Sequence, residues 1–413
     1  MSKEITMQTE RAKLWTKDFI IVSTINFLLT LVFYLLMVSI SVYAVEQFSA
    51  STSEAGLVTG IFIIGALIGR LLTGRIIDKY GRKRILLFGL IVFTLTTILY
   101  FGINSLSFLM VNRLLHGIGL GIASTATGTI VAQIIPAERR GEGVGYFSLS
   151  ATLATAIGPF LGIYLKQHTT FEVIFSFCIA LGAVSFLTAF LLKIQNEQSH
   201  TSVESENNRV KLSSFIEPKA IPIAIVMMLG ALCYSSVLSF ITFYSEEIQL
   251  VEAASFFFVV YAAAVLVSRP FTGRLLDLKG SNIIMYPCLL VFALGLLLLS
   301  YANNGFILLL AGAIIGLGFG NIQSTTQAIA VKVTPPHRIG LATATFFIFL
   351  DVGFGIGPYV LGMIIPFTGY RNLYLIMSIL VLALIVVYYF MHGKKDSLEM
   401  RNKLTKLEET KSN

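Results

Sequence analysis

Residues 70–81 read RLLTGRIIDKYG, and residues 269–280 read RPFTGRLLDLKG. Arg70, Thr73, Gly74, Arg75, Asp78 and Gly81 of the first stretch return as Arg269, Thr272, Gly273, Arg274, Asp277 and Gly280 of the second, at a shift of 199 residues. The same shift, with no gap, carries Gly117, Gly119 and Gly121 onto Gly316, Gly318 and Gly320. It then carries Pro136, Arg139 and Gly141 onto Pro335, Arg338 and Gly340, and Gly158 and Pro159 onto Gly357 and Pro358. Glycines alone coincide by chance in a chain holding 34 of them, but arginine, aspartate and proline at turns do not. The chain is a duplication, and each half carries one copy.

What surrounds each copy sets the solvent. Of 413 residues, 55% are hydrophobic and 13% are charged, against about 25% charged in a water-soluble domain. Apolar runs long enough to cross a bilayer recur along the chain, at approximately 19–45, 55–77, 85–103, 106–134, 141–165 and 171–193. After a break they resume at 219–244, 253–276, 283–302, 305–332, 340–365 and 371–391. The expected fold is all-α, a polytopic membrane protein of twelve transmembrane helices in two six-helix bundles related by pseudo-two-fold symmetry. The expected parts are a bundle over 1–193, a linker over 194–218, a second bundle over 219–391 and a tail over 392–413.

Lysine and arginine give the orientation, since cytosolic segments hold the excess. One side takes the N-terminus, Arg75, Lys79, Arg82, Lys83, Arg84, Arg139, Arg140, the linker, Arg274, Lys279, Lys332, Arg338 and the tail. The other takes Lys166 and Arg371 alone. Both termini are therefore expected in the cytosol of a multi-pass cell-membrane protein. Each half starts on the same side with an even number of spans, which is the arrangement of parallel-repeat transporters. The +8 charge sits in short blocks between apolar runs, so topology accounts for it and no nucleic acid is expected. Cys178, Cys233 and Cys288 lie inside apolar runs without metal-site or disulfide spacing and read as packing residues.

The stretch Gly74-Arg-Ile-Ile-Asp78-Lys-Tyr-Gly81-Arg82-Lys83-Arg84 resembles the loop-2-3 signature of the major facilitator superfamily. Arg113 with Gly117, Gly119 and Gly121 in span four, and Gly158-Pro159-Phe160-Leu161-Gly162 in span five, resemble signatures of its twelve-span drug:proton antiporters. The resemblance covers about the whole chain. It implies a gate at Gly74, Asp78, Gly81 and Arg82, repeated at Gly273, Asp277 and Gly280. The second copy has Ser281 and Asn282 where the first has Arg82 and Lys83, so its latch is weaker or differently made. Asp78 sits where a helix dipole disfavours an anion, which calls for a cationic partner or another helix's N-terminus.

Gly158 and Gly162, like Gly117 and Gly121, are spaced i, i+4 and clear one helix face for close approach. Pro159 removes a backbone hydrogen bond. Read with the resemblance, Gly158, Pro159, Gly162, Gly357 and Pro358 form a sliding hinge between the halves; static packing is the other reading.

Charges inside spans are costly and point to function. Asp351 lies near the middle of span eleven and is the leading proton carrier. Arg113 is too deep in span four to reach water easily, and His116 shares its face; both are candidates for substrate or coupling work. Arg70 and Arg269 lie near cytosolic ends, where snorkelling explains them. Span one offers only Asn26 where many such exporters carry an acid. The expected activity is proton-coupled efflux of a small, largely lipophilic organic molecule by a monomer, with protons, cargo and lipid bilayer as partners and no cofactor or metal. Import of a sugar or organic acid, or export of a metabolite or metal chelator, fits the same residues. No nucleophile, metal cluster or phosphate loop suggests an enzyme.

Overall fold

The computed structural model describes residues 13–136, 139–193, 216–335 and 338–398; most of the linker and tail lie outside them, as do the side chains of Asp78 and Asp277. The described chain is helical: α1 (Lys17–Phe48), α2 (Thr52–Tyr80), α3 (Arg82–Ile98), α4 (Leu106–Ile134), α5 (Arg140–His168), α6 (Phe171–Phe190), α7 (Ile221–Glu247), α8 (Val251–Lys279) and α9 (Asn282–Ser300). Then come α10 (Gly305–Ile315) and α11 (Asn321–Lys332), joined through a π-turn at Gly316–Gly320 into one crossing. The last, α12 (Ile339–Tyr388), contains two crossings broken at Gly369, whose φ of 71° is non-helical. The twelve expected crossings are present.

Polar caps mark where spans end. Thr16, Ser105 and Asn304 accept from backbone N–H groups opening α1, α4 and α10, and Ser51 with Glu54 forms a reciprocal capping box on α2. Each removes unsatisfied donors at a helix start, which membrane helices can leave open only where water reaches. Large apolar side chains such as Phe306, Phe367 and Phe390 point outward, as lipid-facing residues do.

The duplication holds contact by contact. A Cβ at Gly117 would fall 1.9 Å from the Phe62 carbonyl oxygen, and one at Gly316 would fall 2.4 Å from that of Tyr261, the residue matching Phe62. Gly119 and Gly318 meet the backbone nitrogens of Phe93 and Phe292 at 2.7 and 2.5 Å. Backbone lies against backbone, so α4 packs on α2 and α3 as the tenth crossing packs on α8 and α9. Gly81 and Gly280 close α2 and α8 at φ 87° and 83°, a region that side chains enter only under strain. Gly81→Ala is expected to lower stability by about 1–3 kcal/mol, read as a lower Tm in detergent; an unchanged Tm would mean that the turn relaxes.

The two halves close on each other at the face opposite the linker. There Gly56 and Gly60 of α2 meet Pro358 and Gly355 of α12, and Gly362 meets Thr52. Gln167 of α5 donates to the Val251 carbonyl at 2.7 Å and to Ser255 Oγ at 2.8 Å on α8. Lys166 bridges Glu46 at 2.8 Å and Glu246 at 3.2 Å. Thr242 of α7 donates to the Val38 carbonyl of α1. Toward the linker face, a Cβ at Gly74 or Gly273 would meet nothing within 4 Å.

At the linker face several polar contacts tie the chain down, among them Lys83 to the Phe190 and Leu192 carbonyls and the Lys193 N–H to Asp18. Glu217, inside the stretch expected to be linker, is buried and pairs with Arg338 at 2.8 Å, while its backbone N–H donates to Thr345 Oγ1. Past α12 the chain stays helical through Lys394–Leu398, and Asp396 accepts from the N–H groups of Ser281 and Asn282 at 3.1 Å, capping α9.

Candidate functional site

An ion pair between the halves joins Arg70 of α2 to Asp351 of α12. Arg70 turns inward, with a third of its side chain still accessible. Side chains on a helix lean toward its N-terminus, and from α2 that direction leads Arg70 into the protein, where it donates to Asp351. Asp351 is one helical turn from Gly355, which touches Gly60. The glycine pairing that brings α2 and α12 together thus ends in an ion pair between the halves. Tyr34 of α1 lies within electrostatic reach of both charges.

The duplication places a second contact at the matching point. Arg269 of α8 donates to Thr152 Oγ1 of α5 at 3.3 Å. Arg269 is the repeat of Arg70, and Thr152 is the repeat of Asp351. One geometry therefore occurs twice, with a carboxylate in one copy and a neutral hydroxyl in the other. Tyr234 interacts electrostatically with Tyr34 and stacks on Tyr261 with ring centres 5.5 Å apart, and its ring centre lies 4.1 Å from that of Phe319.

Arg113 and His116 are elsewhere. Both are buried inside the first half, 1% and 0% exposed, rather than facing the other half. Arg113 donates from Nε to the Val58 carbonyl and from Nη1 to Tyr100 Oη, both at 3.2 Å, and its guanidinium lies 4.2 Å from the Phe62 ring centre. His116 is hydrogen-bonded at both ring nitrogens, to Thr97 at 3.2 Å and Tyr100 at 3.1 Å. Thr97 gives its proton to the Phe93 carbonyl at 2.7 Å, so its oxygen accepts from His116 Nε2 and Tyr100 donates to Nδ1. That assigns a neutral ring from the network. The cluster ties α2, α3 and α4 together, with Phe62 supplying cation–π attraction where no carboxylate among the described residues does.

The expected hinge divides. Cβ atoms at Gly158 and Gly162 would strike Tyr34 Cβ at 2.7 Å and the Leu35 carbonyl at 2.5 Å, both on α1, and one at Gly357 would strike Ser235 on α7. These are contacts within a half, so in this conformation the three glycines are not the surface on which the halves slide. Pro358 does reach across, its carbonyl facing Gly56 of α2. Pro159 lies inside α5 between its two glycines. For the gate, Gly81 and Gly280 are turn glycines and Arg82 opens α3.

Two bundles built on one repeat, meeting along glycine-paired helices with a charged contact between them, define a class: a polytopic membrane transporter. The chain belongs to the Major Facilitator Superfamily, whose profile matches residues 22–287 and 249–408. The staphylopine export protein of Staphylococcus aureus is 24% identical over 384 residues, covering 88% of this chain and 94% of that protein. The quinolone resistance protein NorA of the same species is 22% identical, covering 81% and 87%. Among solved structures, a bacterial homologue of the human lysosomal transporter Spinster, described as inward-facing and occupied, superposes with a TM-score of 0.75 at 13% identity, over 92% of this chain and 97% of that one.

Proposed function

We propose that this protein is a proton-coupled exporter of small, largely lipophilic organic molecules that works by alternating access. The observation that carries the reading is the Arg70–Asp351 pair, the one described acid deep inside a span, held across the two bodies that must move. A proton on Asp351 removes its charge and releases Arg70; its loss restores the clamp. Proton binding and half-to-half closure are thereby linked, which is what coupling requires. The linker face, rich in lysine and arginine, is the cytosolic one, with both termini on that side of the cell membrane. On this reading the face closed here is the outer one, and cargo enters from the cytosol.

Efflux over uptake is supported by relatives whose names record staphylopine export and quinolone resistance. Arg113 and His116 act in this scheme as a rigid strut behind α2. Asp78 and Asp277, with Arg82, serve as latches when the cytosolic side closes.

A crosslinking experiment tests the cycle. Lys166→Cys and Glu246→Cys place thiols where an ion pair now joins the halves, and the native cysteines are buried. Joining the thiols with a short bifunctional maleimide is expected to stop export from cells loaded with a fluorescent lipophilic dye, while each single variant exports normally. Full export by the joined protein would refute alternating access.

A further inference from the structure

The two repeat-related contacts differ in charge, and the difference has a chemical meaning. At the first, Arg70 is neutralised by Asp351. At the second, Arg269 faces the hydroxyl of Thr152, which itself donates to the Ser148 carbonyl at 3.1 Å. Arg269 Nε is shut off from solvent and has no acceptor among the described residues. Arg113 is sealed inside its own half, so among the described side chains deep in the spans two arginines and one aspartate lie between the halves. One positive charge is left over, and it is on Arg269.

An arginine inside a span, only partly exposed and without a carboxylate, is costly, and its planar donor fork fits a carboxylate in two-point contact. In the sister contact the protein supplies that carboxylate. We infer that in the second contact the cargo supplies it: Arg269, with Thr152, binds an anionic group on the transported molecule, so the cargo is an organic carboxylate or a zwitterion with an apolar body. The aromatic group within electrostatic reach of Arg269 is Tyr261, stacked on Tyr234 and buried with it in this conformation, so an apolar body held there would meet these rings once they are uncovered. This rests on the transporter reading and narrows it to a substrate class.

The test uses three probes of one shape, 1-naphthylacetate, 1-naphthylacetamide and 1-naphthylethylamine, binding to the full chain in nanodiscs of neutral lipid, where no anionic headgroup competes. The acid is expected to bind about tenfold or more tighter than the amide, one charge-assisted contact being worth at least that. Arg269→Gln should bring the ratio near one, and Arg269→Lys should keep part of it. Thr152→Asp, which rebuilds the sister ion pair, should remove acid preference and leave amide binding in place. Equal binding of acid and amide by the wild type, no binding of the acid, or a preference that survives Arg269→Gln would each overturn the inference. Export of 1-naphthylethylamine from loaded cells, with no acid preference in the nanodisc binding, would sink it and leave the transporter reading intact. Acid preference in a protein that moves no cargo would do the opposite.

Discussion

Asp351→Asn is expected to yield a protein that inserts and folds but shows no proton-driven export. The asparagine cannot take up or release a proton, and it leaves Arg70 facing a neutral amide between the halves. Removing one partner of a fully buried pair costs about 3–5 kcal/mol; with Arg70 33% exposed, the loss here belongs at or below the low end. That is too little to prevent folding and enough to weaken closure. The two consequences separate experimentally. In inverted vesicles, the variant should ignore an imposed pH gradient yet still exchange cargo down the cargo's own gradient, because a neutral side chain blocks coupling rather than access. Asp351→Glu, which keeps the acid, should recover part of the gradient-driven rate. Arg70→Gln should retain proton sensitivity with a less firmly closed outer face. Wild-type response to the pH gradient by the asparagine variant would take Asp351 out of the mechanism.

The Arg70–Asp351 pair escapes a reading of the sequence for a physical reason. The duplication, the twelve crossings and the turn glycines are legible because they depend on residue type at fixed spacing. The partner of Arg70 is not, since it lies 281 positions away and a cytosolic-end arginine looks the same whether it snorkels outward or folds inward. Arg113 shows the same blindness. Its depth in span four is readable, but the span is apolar on every side, so periodicity does not say which face meets the other half. Gly158 and Gly162 announce a close approach without naming the helix that approaches, and it is α1. The glycines that do join the halves, Gly56 and Gly60, carry the same i, i+4 spacing, a signal present in the chain and masked by its many other glycines. What one repeat compared with the other does reveal is asymmetry: Asp351 opposite Thr152 is visible in the alignment, and the fold turns it into two versions of one contact.

Gly60→Val is expected to arrest the cycle with the face opposite the linker unable to close. A Cβ there would lie 1.9 Å from the Gly355 carbonyl oxygen, and one at Gly56 would lie 2.1 Å from that of Pro358. Both obstacles are backbone and cannot rotate aside, so α2 and α12 must separate. Separation forfeits the packing along the seam and lengthens the Arg70–Asp351 contact at its end. Since helix pairs in membranes are held by close packing rather than by expulsion of water, little remains to hold that face shut. Crosslinking between cysteines at 166 and 246 should slow, and export should fall at least about tenfold, the effect of a shift of roughly 1.4 kcal/mol between the two states. Gly74→Val supplies the converse. It lies on the same helix, where a side chain meets open space in this conformation, so closure opposite the linker should be undisturbed. If the linker end of α2 must approach the other half when the cytosolic side shuts, this variant should also lose export, but with crosslinking at 166 and 246 at the wild-type rate or faster. Gly102→Ala, a glycine with equal free space outside the seam, should change neither. Opposite shifts from two substitutions on one helix are the signature of a rocking body; shifts of the same sign would mean that α2 does not tilt as a unit.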